Sequence, residues 1–414
     1  MSAVTASPRT AAENQLIERA GRTVRDGDAR RREAIAALTE KGLPSRRVEA
    51  WHYTDLRALL GRVPATQGAA SGTTYLSPFL PHSVIVDLGA AAPTNDLAKG
   101  VSVASTFEPL SFERTVNHLD RSVDTVRLLN TALGATGAEI VVADGTVVET
   151  PIELRPTADA TGSQNATIVR LGAGSNAVLV ERAPAAGDLA VSTTVHGLHL
   201  GESAEVLWII VQEKGANETH LGQLNVTLGA NSKLKLFVLN AGGAVVRQEV
   251  HAETVGEGAD IQIRGVNLLA DGQHVDVTTT LNHNVAHTTS TEIFRNVVLG
   301  GHGVFQGMIR VAKGAQKTDA RLACNTLLLA DDGDFSAKPE LEIFADDVQC
   351  GHGATAGEIN ADHLFYLMSR GIPEAPARAL LVKAFVAEVV EDLEHEAAVE
   401  ALEARIDAWL AVER

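Results

Sequence analysis

Cysteine is nearly absent from this chain: Cys324 and Cys350 are the two in 414 residues. That excludes a disulfide framework, and it is too few for a four-thiolate iron–sulfur cluster held within one chain. Any cluster would need ligands from a partner, or non-thiolate ligands. No apolar run approaches the roughly 20 residues that span a bilayer. The opening MSAVTASPRT lacks the basic-then-apolar order of a secretion signal, so a cytoplasmic location and no membrane partner are expected. Basic residues are outnumbered, giving a formal net charge of −17. Such a surface repels polyanions and argues against nucleic acid or anionic lipid as a partner. Neither a G-x-S-x-G elbow nor a Walker A loop occurs, so neither a serine hydrolase nor an independent ATPase is supported.

Three textures follow one another along the chain. Residues 1–10 read as a disordered tail. Helical spacing of Leu16, Ile17, Ala20 and Val24 predicts a first helix. A second runs from Ala29 to Lys41 and stops at Gly42, with Pro44 beyond. Trp51 and Tyr53 sit in one short stretch, Glu49 to Leu56, of a chain only 4% aromatic, and are expected to anchor packing. Residues 65–77 read as a loop, Val84–Leu88 as a short strand and Asp124–Leu133 as a helix.

From Ala138 one unit recurs: an aliphatic residue, a glycine, two or three small or polar residues, then a strand. Gly172, Gly201, Gly229 and Gly256 mark it at intervals of 29, 28 and 27 residues. A period in this range signals a solenoid, and strands turning at glycines describe a β-helix whose coils bury apolar side chains against one another. A β-sandwich is the alternative, but its strands recur every 8–12 residues without a common corner motif. Gly172-Ala173-Gly174-Ser175-Asn176-Ala177 fits the dinucleotide pattern G-x-G-x-x-A. That pattern requires a following helix, whereas Val178-Leu179-Val180 reads as strand.

After residue 348 the texture turns helical: Asp362–Ser369, then Ala377–Glu396 with Leu381, Phe385, Val389 and Leu393 at spacings of four and a flanking set Val382, Val386 and Val390, then Ala397–Leu410. The predicted organisation is a mostly helical region over 1–135, a β-helix over 136–348 and a helical domain over 349–414. At the junction, Cys350-Gly351-His352-Gly353 places a thiol and an imidazole two residues apart. They are metal-ligand types, and a glycine-rich turn holding them by chance is the plain alternative. His283 and His287, four apart, chelate metal on a helix, but on a strand merely share a face. Cys324 alternates as a strand residue and reads as a small buried hydrophobe.

Six segments carry a resemblance to a known family: His283–Ser290 (HNVAHTTS), Gln316–Ala320 (QKTDA), Asn325–Leu329 (NTLLL), Lys338–Val348 (KPELEIFADDV), Cys350–Gly357 (CGHGATAG) and Leu364–Ile372 (LFYLMSRGI). Gly42-Leu43-Pro44 with Glu49 and Trp51-His52-Tyr53-Thr54 extends it to the amino-terminal region. The chain resembles the SufB/SufD family, the paired scaffold subunits of the SUF iron–sulfur assembly machinery, and within it the SufD branch. SufB-like chains tend to be longer, read Cys-x-His-Glu at the junction and carry further cysteines in the β-helix.

The resemblance implies a right-handed parallel β-helix between helical regions, no enzymatic activity, and pairing with SufB through the β-helix. It implies docking of the SufC ATPase on the C-terminal helices and a transient Fe–S cluster shared with SufB, with His352 as the foremost ligand and Cys350 the second. Left open are a reduced flavin in the complex, a homodimer when SufB is absent, a SufB-like role as main scaffold, and, from a different class, a carbohydrate-active β-helix enzyme.

Overall fold

The structure, a computed structural model, describes residues 9–22, 24, 28–62, 77–88, 97–106, 124–156, 162–187 and 190–412. The chain opens with α1 (Ala11–Arg22), α2 (Ala29–Lys41), a 3-10 turn (Glu49–Trp51), α3 (Leu56–Arg62), β1 (Val84–Asp87), β2 (Val101–Thr106) and α4 (Thr125–Ala132). The strands continue with β3 (Thr136–Val142), β4 (Ile152–Arg155), β5 (Gln164–Leu171), β6 (Asn176–Pro184), β7 (Val191–Leu200), β8 (Glu205–Glu213), β9 (Thr219–Leu228) and β10 (Lys233–Ala241). They end with β11 (Val245–Thr254), β12 (Asp260–Leu269), β13 (His274–His283), β14 (Thr289–Val298), β15 (His302–Val311), β16 (Asp319–Leu328), β17 (Asp334–Ile343) and β18 (Gln349–Gly357). Three helices close the described chain: α5 (Ala361–Ser369), α6 (Glu374–Glu391) and α7 (Glu396–Val412).

From β3 onward the strands alternate between two nine-stranded sheets, and each pairs in parallel with the strand two places on. The result is a parallel β-solenoid of about 7 turns. One sheet runs β1-β4-β6 and on to β18; the other runs from β17 down to β3 and ends on β2, which is antiparallel to β3. We call them the even and odd sheets after their repeating strands.

The glycine period is the stacking of one corner on the last. Gly201 N–H donates to Leu171 O at 2.8 Å and Gly229 N–H to Leu200 O at 2.9 Å. A Cβ on Gly256 would lie 2.0 Å from Ala230 N, so the rungs close at that corner because a side chain is missing. The dinucleotide lookalike is one such corner, since strand β6 follows it.

Central strands read as almost continuous apolar runs because both their faces are covered. In β10, Leu234, Leu236 and Val238 face the core between the sheets, while Phe237 and Leu239 face outward. That outer face of the even sheet is covered by α6, α7 and the turn between them through Val382, Val386, Val389, Val390, Leu393 and Leu402. The outer face of the odd sheet receives Leu16, Trp51 and Leu129 of the N-terminal region, against Val195, Leu221 and Val245.

Several boundaries differ from expectation. Helix α1 ends at Arg22, before Val24, and α6 spans Glu374–Glu391 rather than reaching Glu396. In α6 the expected flanking set is the buried one, with Val389 and Leu393 just beyond, while Leu381 and Phe385 are half-buried. Strand β18 carries the solenoid past residue 348, where the sequence places its end, and β1 and β2 bring residues of the N-terminal region into the sheets. Residues 1–8 of the expected tail over 1–10 and most of the expected loop over 65–77 lie outside the described residues.

Candidate functional site

At one end of the solenoid the last strands, β17 and β18, have a neighbour on one side only among the described residues. Coverage thins toward it: along β16 buried residues alternate with half-buried or exposed ones up to Thr326, β17 is half-buried over most of its length, and β18 is exposed from Gly351 to Gly357. Pro339 lies in β17, where its missing N–H costs nothing because the edge has no further strand to bond.

The Cys350-Gly351-His352-Gly353 segment is not a turn. It lies in the first half of β18, laddered against β16 with Cys350 opposite Ala320 and His352 opposite Leu322. Ala320 and Leu322 belong to the core between the sheets, and Cys350 packs against that core. Residues two apart on a strand share a face, so Cys350 and His352 project on the inner side, where the stack stops. Cys350 is half-buried and His352 exposed. Burial pushes the Cys350 thiol up, opposed by a hydrogen bond with the Ala320 backbone and aided by Asp319, so the free chain favours the protonated thiol, whose proton a bound metal ion would displace. Gly351 and Gly353 project on the other side, and a Cβ on either would meet nothing within 4 Å. Thus the edge offers one soft and one borderline donor with room around them. Among the described residues no three His, Cys, Asp or Glu side chains converge as a metal site.

The other candidates resolve as structure. His283 is fully buried, with Nδ1 2.7 Å from Thr288 Oγ1 and Nε2 2.9 Å from Ser290 Oγ, so neither nitrogen is left for a metal. Burial lowers its pKa to about 4, keeping it neutral. His287 sits in the following corner with φ 56°. Cys324 is fully buried, accepts from Asn296 Nδ2 at 3.2 Å, and has its thiol pushed up to about 12 by burial.

Trp51 is buried, as expected, and stacks on Arg247 with the guanidinium 4.1 Å from the ring centroid. Its neighbour Thr54 donates to Asp276 and lies 2.9 Å from His274 Nε2. The amino-terminal motif is therefore a plug on the odd sheet. Glu292 was not singled out by sequence, yet it is a fully buried carboxyl on the inner face of β14. Its position in the alternation Ser290, Glu292, Phe294 was the available signal.

Architecture and edge chemistry define a class: a parallel β-solenoid whose open end carries a thiol and an imidazole on one face of its last strand. The family model for the SufBD core domain of SUF-system FeS cluster assembly matches residues 154–385, and the chain belongs to that family. It is 27% identical over 394 residues to the iron–sulfur cluster assembly protein SufD of Escherichia coli, covering 90% of each chain. It is likewise 27% identical to a SufBD family protein of Synechocystis, over 88% of this chain and 87% of that one. A third relative, the chloroplastic protein ABCI7 of Arabidopsis thaliana, is 28% identical over 61% of this chain and 56% of its own.

Proposed function

We propose that this chain is a SufD-type, non-enzymatic scaffold subunit of the SUF assembly machinery. Its open edge pairs with the solenoid of a SufB-type partner, and a nascent Fe–S cluster forms as cargo between them. The observation that carries this reading is the pairing of Cys350 and His352 on the inner face of an edge strand with no further neighbour. A backbone edge recruits another backbone edge, and the partner supplies the thiolates that two cysteines cannot. His352 is the first ligand because it is exposed and binds as the neutral imidazole; Cys350 is the second, since its thiol must first lose a proton.

The described residues fall into an N-terminal plug, the solenoid and a C-terminal helical domain, and we assign the last to docking of a SufC-type ATPase. Phe365 and Tyr366 on α5 are 73% and 56% exposed, the kind of apolar surface that marks a protein contact. SufD similarity over 90% of the chain favours a SufD-type over a SufB-type role. Family membership leaves the carbohydrate-active alternative without support. Two free thiols suit the reducing cytoplasm, where we place the assembly. We assign no residue to a flavin.

Co-expression with SufB- and SufC-type partners tests the reading, with the mass of the complex and its iron and sulfide content as readouts. The His352→Ala complex should assemble with the same mass and hold markedly less cluster. Unchanged cluster content would remove His352 from the site, and failure of the wild-type chain to associate with a SufB-type subunit would sink the pairing.

A further inference from the structure

The inner column of the even sheet that ends on His352 reads Trp208, Leu236, Ile263, Glu292, Leu322, His352 across β8 to β18. All but one of the members beneath the open end are apolar. Glu292 is 0% exposed, and among the described residues its carboxylate oxygens make no hydrogen bond of ordinary geometry, the Thr279 hydroxyl being the polar group near them. One side chain, Leu322, separates it from the open rung. We propose that Glu292 is a proton-dependent latch on the end of the solenoid: neutral, it lets β16 and β18 pack; ionised, it favours their opening.

The physics is that of a carboxyl transferred out of water. A buried carboxylate with no cationic partner is strongly disfavoured, and here burial outweighs the opposing pull of the Thr279 hydroxyl, so the folded state holds the proton. Ile263 on β12 and Leu322 on β16 flank Glu292 in the column. Across the core the polar group facing it is the Thr279 hydroxyl of β13. The titratable neighbours give no compensating charge. Cys324 stays a thiol, and His283, farther along β13, stays neutral with both ring nitrogens engaged. Arg295 of the same strand projects on the outer face and is held by Glu388 at 2.6 Å. His352 lies beyond Leu322, in the open rung.

Burial raises the Glu292 pKa from 4.5 to about 7. The sign follows: opening of β16 and β18 exposes the carboxyl to water and releases its proton, so the closed form is favoured at low pH and loses ground as pH rises toward the folded value. Linkage between those two pKa values gives an opening constant that grows about tenfold between pH 6 and pH 8. Cys350 and His352 ride on the strand that opens, so the order of the edge offered to a partner would follow proton occupancy. That last step rests on the function proposed above; the latch itself is a property of the free chain.

Hydrogen exchange on the full-length chain alone tests it, with protection corrected for the intrinsic pH dependence of amide exchange. In the wild type, residues 319–357 should lose about tenfold in protection between pH 6 and pH 8, while β8 and β10 stay unchanged. Glu292→Gln should abolish the difference, and Glu292→Leu serves the same purpose if the amide variant folds poorly. His352 is present in all three proteins, so it accounts for no difference among them. Equal pH dependence in wild type and variants, or none in the wild type, overturns the latch without touching the ligand role of His352.

Discussion

Glu49 and Lys338 stand 289 positions apart in sequence, and their side chains meet at 2.7 Å. Glu49 lies in the 3-10 turn of the N-terminal plug and Lys338 on the edge strand β17, so the first and last parts of the solenoid assembly are tied at one point. Lys338 also reaches Glu340 at 3.2 Å.

Removing this tie is expected to loosen the edge without unfolding the chain. The pair is largely solvated on the Glu49 side, so Lys338→Ala should cost no more than about 1 kcal/mol. Lys338 holds the Glu49 carboxyl below its ordinary value. The contribution is therefore full above the unfolded carboxylate pKa and is lost as pH falls through the lowered folded one. A double-mutant cycle with Glu49→Gln at pH 7 and at pH 3 measures both.

The plug itself should be far less forgiving. Arg247 is fully buried, bonded to Glu249 at 2.8 Å and to Asp276, and stacked on Trp51. Arg247→Met leaves two carboxylates in the interior without their cation and should cost about 3–5 kcal/mol. Urea unfolding gives the value, and Asp276→Asn in the Arg247→Met background should recover part of it.

The helices over the even sheet give a graded series. Leu402 is 0% exposed and sits in the cluster with Phe237 and Val266. Leu402→Ala should destabilise by about 2–5 kcal/mol. Leu381→Ala should cost distinctly less, because that side chain is half-buried. Thermal denaturation of the two variants ranks them, and equal losses would contradict the packing described.

Glycines separate corner from edge. At Gly256 a methyl group would run into the backbone of Ala230. Gly256→Ala should therefore destabilise the free chain by about 1–3 kcal/mol. Gly353→Ala meets open space and should leave the free chain unchanged while weakening association with a SufB-type subunit. A size-exclusion titration with that subunit reads the second effect, and unimpaired association would show that the Gly353 side of the edge remains open in the complex.

The solenoid was legible because its corners stack backbone on backbone and so demand glycine at a fixed interval. Strand β18 was not, for the converse reason. Gly351, Gly353 and Gly357 alternate with Ala354 and Ala356 around His352, so no β-branched residue announces a strand; the ladder with β16 holds it extended. Cys350 and His352 were found by their chemistry, but their common face follows only from that ladder. The partners of the Trp51 segment were hidden by distance, since Arg247 and Asp276 come from rungs some two hundred residues later. Glu292 was missed because one acidic residue in TSTEIFRN passes for a solvent-facing one until the register turns it inward.

The two ends of the solenoid are unlike. Among the described residues, one finishes in the four-residue β1 and the antiparallel β2, a short and reversed pair that does not continue the parallel ladder. The other finishes in the long parallel strands β17 and β18. Stacking such objects end to end stops after one contact, because joining two open ends leaves two blunt ones outside. Under the pairing proposed above, the ladder ends with the second subunit instead of growing into a fibre.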